Sequence, residues 1–148
     1  MEIQKYMREA VTINRDATFT DAVKMMSDTH ANSLLVVDSS DKLVWGVDVV
    51  TLIKEVLPDY LEHEKWTAHF TTDSIFSSCI QDVKEKRIGD FMMKFTKVIT
   101  PTTSMMEAAI IVTEWRQSKI PVLDENLKPI WVFTRSSLKK VLASELGL

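Results

Sequence analysis

The sequence predicts an α/β (α+β) fold built from two tandem copies of one unit, each reading strand, helix, strand, strand, helix. Three observations carry this. Sliding the chain on itself by 86 residues aligns Met7 with Met93, Ile13 with Ile99, Ala22 with Ala108, Val36 with Val122, Asp38 with Asp124, Lys42 with Lys128, Trp45 with Trp131, Leu52 with Leu138 and Lys54 with Lys140, with no gap. Short β-branched runs recur at matching places in the two copies. In each copy a hydroxyl residue stands three positions ahead of a carboxylate and opens an apolar helical stripe. The copies are placed at 1–58 and 88–148, with a partly helical connecting insert at 59–87.

In order along the chain, VTI at 11–13 and VIT at 98–100 are β-branched runs followed by polar residues, and predict short opening strands. Thr18 with Asp21, and Ser104 with Glu107, can satisfy the free amides of a helix N-terminus. The helices that follow present Phe19, Ala22, Val23 and Met26, or Met105, Ala108, Ala109 and Val112, on one face. LLVVD at 34–38 and IPVLD at 120–124 predict buried strands ending in acidic turns. LVWGVD at 43–48 and PIWVF at 129–133 predict the third strand. Leu52, Ile53 and Val56, matched by Leu138, Val141 and Leu142, predict a second amphipathic helix. The insert contains LPDYLEHEKW and FTTDSIFSSCIQDVKEK, too apolar for a free linker, and is expected to pack over an edge or an interface.

Composition narrows the function. The chain has 148 residues, 45% hydrophobic and 26% charged, with a net charge of −3, which is enough to form a core without disulfides or a structural metal. Its one cysteine, Cys79, suits a reducing compartment and is expected to be a buried, inert thiol. The mild acidity, without a concentrated Lys/Arg patch, argues against a nucleic-acid partner. Apolar runs fall short of the roughly 18 residues that a membrane span needs, and charges occupy the first ten positions, so a cytoplasmic protein with no membrane partner is expected. No phosphate-binding loop, dinucleotide glycine fingerprint or Ser/His/Asp set is present, so an enzyme is not expected. His63 and His69, near Glu62 and Glu64, are spaced too far apart to share a helical face and read as a solvated segment rather than a metal site.

The two copies, with the runs SLLVVDSSDKLVWGVDVVTL and IPVLDENLKPIWVFTRSSL, resemble a tandem cystathionine-beta-synthase (CBS) domain pair, or Bateman module. The resemblance implies two copies packed about a pseudo-twofold axis with two clefts between them. It also implies a stand-alone regulatory module that binds AMP, ADP, ATP or S-adenosylmethionine and transmits occupancy to an unidentified regulated protein. No other cofactor is called for. A homodimer is the expected assembly.

The resemblance also implies site residues. The family's T-x-x-D pattern falls on Thr134 and Ser137 in the second copy, with Ser136 beside them, and on Asp48 and Thr51 in the first. Ser137 and Thr51 occupy the place of the ribose-binding aspartate, where each can make a single hydrogen bond. Lys119 stands where a basic group reaches phosphate, and Ser33 stands there in the first copy. Val98, Ile99, Pro121 and Val122 match the apolar wall that holds adenine. Since Lys119 attracts phosphate and Asp48 repels it, the second-copy cleft is the expected anion site. Trp45 and Trp131 replace a family glycine and are expected to be buried. The alternative is a degenerate pair whose clefts they fill, acting as a dimerising protein-interaction scaffold.

Overall fold

The computed structural model describes residues 2–57, 73–94, 97–115, 117 and 119–148. Glu62, His63, Glu64 and His69 lie outside the described residues. A 3-10 turn, Ile3–Tyr6, leads to β1 (Arg8–Glu9). The first copy then runs β2 (Thr12–Asn14), α1 (Phe19–Thr29), β3 (Ser33–Val37), β4 (Leu43–Asp48) and α2 (Val49–Val56). Helix α3 (Asp73–Val83) and a second 3-10 turn, Ile88–Asp90, precede α4 (Met105–Glu114), β5 (Lys119–Leu123), β6 (Pro129–Thr134) and α5 (Arg135–Glu145). The strands form two three-stranded sheets, ordered β2-β3-β4 and β1-β6-β5.

The 86-residue offset holds at the level of single hydrogen bonds. Thr18 Oγ1 accepts from the Asp21 amide at 3.2 Å and Asp21 Oδ2 accepts from the Thr18 amide at 2.9 Å, while Ser104 Oγ accepts from the Glu107 amide at 3.1 Å. Asp38 Oδ1 accepts from the amides of Ser40 and Lys42, and Asp124 Oδ1 from those of Asn126 and Lys128. The turns that follow place Asp41 and Leu127 in the left-handed region, at φ 60° and 64°. Register shifts fall between Val36 and Val37 in one hairpin and between Val122 and Leu123 in the other.

The copies differ at their opening strands. In the first copy Ile13 pairs with Val36 within the three-residue strand β2, and the Arg15 amide extends the pairing to Val37 O at 2.9 Å. In the second, the expected strand over 98–100 is reduced to a single bridge between Ile99 and Val122. Pro101 occupies the place of Arg15 and has no N–H to donate, so the ladder stops there.

Two cores lie between the helices and the sheets, and each takes one residue from the segment leading into the other copy. Ile88 is fully buried among Ile13, Phe19, Met26 and Leu52, whereas Ile3 is buried among Ile99, Ile111, Ile120 and Phe133. Strand β1 pairs antiparallel with β6, setting Arg8 opposite Val132. Reciprocally, Met93 and Gly46 exchange backbone hydrogen bonds of 2.6 and 2.8 Å. The two copies are therefore laced together by their leading segments.

The helical stripes are narrower than the sequence suggests. Phe19, Ala22 and Met26 are buried but Val23 is exposed; Leu52 and Val56 are buried but Ile53 is exposed; Val141 is buried but Leu142 is exposed. One sheet covers only the middle of each stripe, and its flank faces outward. Helix α3 supplies part of the insert expected to pack: Cys79, Ile80 and Val83 lie against the first core, with Cys79 half-buried rather than fully buried. Lys84 O accepts from Thr20 Oγ1 at 2.7 Å, and Lys86 forms an ion pair with Glu55.

Candidate functional site

Each copy passes from its last strand to its last helix without an intervening loop, and the residue at the switch becomes the helix cap. Asp48 caps α2: its Oδ1 accepts from the Thr51 amide at 2.7 Å and from Thr51 Oγ1 at 2.9 Å. Thr134 caps α5, with Oγ1 accepting from the Ser137 amide at 3.3 Å while Ser137 Oγ accepts from the Thr134 amide at 3.0 Å. These bonds satisfy amides that a helix start leaves free. The second-copy cap is thus made of two hydroxyls, and the first of an acid and a hydroxyl.

Asp48 and Thr134 both open onto one cavity of about 900 Å³. Among its lining residues are six pairs at the 86-residue offset: Arg8 with Lys94, Thr29 with Trp115, Ala31 with Gln117, Ser33 with Lys119, Gly46 with Val132, and Asp48 with Thr134. A cavity lined by both members of so many pairs straddles the pseudo-twofold axis. The register of the hairpins sets the arrangement, since Ser33 lies opposite Asp48 and Lys119 opposite Thr134.

The chemistry of the cavity is asymmetric although its frame is not. Lys119 Nζ crosses the axis to donate to Ser33 Oγ at 2.6 Å. Burial holds the Lys119 ammonium below its ordinary pKa, against the opposing pull of Asp48, and Arg8 lowers it further. Arg8, Lys94 and Lys119 contribute cations to the lining, and Glu9 and Asp48 contribute carboxylates. Gln117 braces one side: its Oε1 accepts from the Lys97 amide at 2.9 Å, and its Nε2 donates to Lys97 O at 2.8 Å and to Lys119 O at 2.9 Å. The result is a mixed-charge cavity whose free donors and acceptors suit a polar ligand with an anionic group.

Of the site residues expected from sequence, the structure brings Lys119, Thr134 and Asp48 together on this cavity. The others lie elsewhere. Thr51 is buried under Asp48; Ser137 is 1% exposed and engaged in the cap; Ser136 is half-buried off the cavity. Ile99 and Val122 belong to the second core, the Pro121 side chain is fully buried, and Val98 is exposed outside the cavity. Three of the four residues of the expected adenine wall are thus enclosed by protein. Thr134 of the second signature and Asp48 of the first border one axial space. Trp45 is 37% exposed and Trp131 half-buried, because the strands are covered only toward their helix ends, and neither lines the cavity. Sequence reading missed Trp115, Gln117, Arg8 and Lys94. The signal for Trp115 was an asymmetry of the repeat, a tryptophan where the first copy has Thr29.

The family model of the CBS domain matches residues 2–47 and 88–144. A CBS domain-containing protein of unknown function from Kribbella flavida DSM 17836 is similar with TM-score 0.80 and 16% identity, over 97% of this chain and 99% of that one. CBSX2, an Arabidopsis thaliana protein solved in complex with AMP, gives TM-score 0.70 and 21% identity over 97% and 98%. The CBS domain pair of protein MJ0100, solved with 5′-methylthioadenosine and S-adenosyl-L-methionine, gives 0.68 and 15% over 96% and 99%. No curated protein matches the sequence. Among the described residues, no helix is long and apolar enough to cross a membrane. With both copies matched by the family model and the whole chain following the fold of CBS pairs, the chain belongs to the CBS domain family as a tandem pair.

Proposed function

We propose that the axial cavity binds an adenosine-containing ligand, AMP, ADP, ATP or S-adenosylmethionine, and that the chain works as a cytoplasmic regulatory module rather than as an enzyme. The observation that carries this reading is the cavity itself, lined from both copies and holding Lys119, Thr134 and Asp48. Its volume of about 900 Å³ falls within the roughly 300–1,000 Å³ of small-molecule sites. The AMP complex of CBSX2 and the S-adenosyl-L-methionine complex of MJ0100 support the ligand class. A ligand seated on the axis touches both copies at once. An anionic group there competes for the Lys119 ammonium and so acts on the bond to Ser33 that joins them. Differential affinity for the arrangements with and without that bond is what relays occupancy to a partner protein.

The partner surface and the homodimer are read from the flank of the first copy, where Val23, Val49, Val50 and Ile53 are exposed on α1 and α2. The alternative, a degenerate dimerising scaffold, draws on Ser137 and Thr51 standing where the family has its aspartate; against it, neither Trp45 nor Trp131 lines the cavity. A thermal-shift series with the four ligands tests the proposal, because a ligand that binds only the folded state raises the unfolding midpoint. A rise that saturates with at least one of them is expected. No rise with any of them at millimolar concentration overturns the reading.

A further inference from the structure

We infer that Trp115 is a stacking platform for the base of the bound nucleotide and fixes which half of the pseudo-symmetric cavity the base occupies. The inference rests on the nucleotide reading above and adds to it the residue that orients the ligand. Trp115 closes α4 and lines the cavity, yet it remains 50% exposed, so its ring is not there to fill a core. The Lys97 ammonium sits 4.3 Å from the ring centroid, and Lys97 is not among the cavity-lining residues, whereas Trp115 is. Such a contact favours the ring orientation that keeps its face to the ammonium. Gln117 fixes its surroundings, since a single side-chain amide ties the Lys97 backbone to Lys119. Platform and cavity cation are thereby held in one assembly.

The asymmetry gives the ring its consequence. Thr29 stands at the equivalent position and also lines the cavity, so the other half of this pair offers a methyl and a hydroxyl where the second copy offers an indole. A flat, neutral heteroaromatic ring finds an indole to stack on only at the Trp115 side, since the first-copy side offers beside Thr29 only the smaller imidazole of His30, and every base has a π-face to present. The cavity frame alone permits two orientations related by the axis. Trp115 makes one of them better.

The test titrates the full chain by calorimetry with AMP and with ribose 5-phosphate, which lacks the base, in wild type, Trp115→Leu and Trp115→Phe. AMP binding is expected to weaken about tenfold in Trp115→Leu and to stay within about threefold in Trp115→Phe. Ribose 5-phosphate binding should be the same in all three. Unchanged AMP affinity in Trp115→Leu overturns the platform while leaving the nucleotide reading standing. Equal weakening of AMP and ribose 5-phosphate overturns it as well, because the ring would then be only a structural support. If wild type binds no adenosine ligand at all, the platform and the nucleotide reading both fall.

Discussion

Lys119 Nζ donates a 2.6 Å hydrogen bond to Ser33 Oγ, and the two residues hold the same position in their respective copies. A symmetric pair at this place would set two identical side chains face to face. Replacing one of them by lysine lets a single side chain span the axis, and brings an ammonium under the influence of Asp48. The copies are joined here by a bond that an anionic ligand can claim.

Burial is the largest influence on the Lys119 pKa and lowers it from 10.5. The folded state therefore carries a penalty below the depressed pKa. As pH rises from that value to 10.5, the unfolded chain holds more protons than the folded one, so stability increases through this window. Lys119→Met keeps the aliphatic stem and removes the charge. Its urea midpoint at pH 7 is expected to exceed that of wild type, and the difference should narrow as pH climbs through the window. A variant less stable than wild type at pH 7 would show that the contacts with Ser33 and Asp48 outweigh desolvation.

Asp48→Asn separates the capping role of Asp48 from its charge. Asparagine caps helices as well as aspartate, so unfolding free energy should change by no more than about 0.5 kcal/mol. Removing the carboxylate from the cavity should tighten ATP and AMP by about three- to tenfold at low salt and leave adenosine unaffected. Calorimetry at two ionic strengths checks this, since the gain should shrink as salt is raised.

The exchanged leading segments make a stability prediction that a strictly local account of the copies would not. Ile88→Ala, though it stands at the start of the second copy, should destabilise the first core by about 2 to 5 kcal/mol, and Ile3→Ala should cost the second core a similar amount. Chemical denaturation reads both. A cost below about 1 kcal/mol at either site would mean that the segment does not dock as described.

Ser137→Ala should cost about 1 to 2 kcal/mol, because the Thr134 amide loses its buried acceptor. AMP affinity should stay the same within error, since the Ser137 hydroxyl is occupied in the cap and lies off the cavity. A loss of affinity without a loss of stability would restore the ligand-binding role that the sequence pattern implied.

Local determinants were legible in the sequence. Thr18, Ser104, Asp38 and Asp124 act on amides two to four residues away, so their spacing alone foretold their bonds. Lys119, Thr134 and Asp48 were legible as site candidates because the repeat and the family pattern mark those positions. Tertiary relations were not legible. That Ile88 and Ile3 each serve the opposite core depends on residues far apart in sequence, from Leu52 with Ile88 to Ile3 with Phe133. That Ile99 and Val122 face the core, with Pro121 buried on the other side of the sheet, depends on which side of the sheet the helices cover, and period-two patterning is silent on this in a continuous apolar run. Trp45 was misjudged for a related reason: Leu43 and Val44 beside it are also only half-buried, and burial becomes complete only at Gly46 and Val47.

The central claim is that one ligand site lies on the axis and is shared by both copies. Hydrogen–deuterium exchange with and without AMP tests it most directly, because bound ligand slows exchange wherever it suppresses local opening. The expected result is protection in both copies together, at Asn32, Ser33 and Gly46 to Val50 in the first and at Gln117, Lys119 and Val132 to Thr134 in the second. Protection confined to one copy, or none at saturating AMP, would contradict the account.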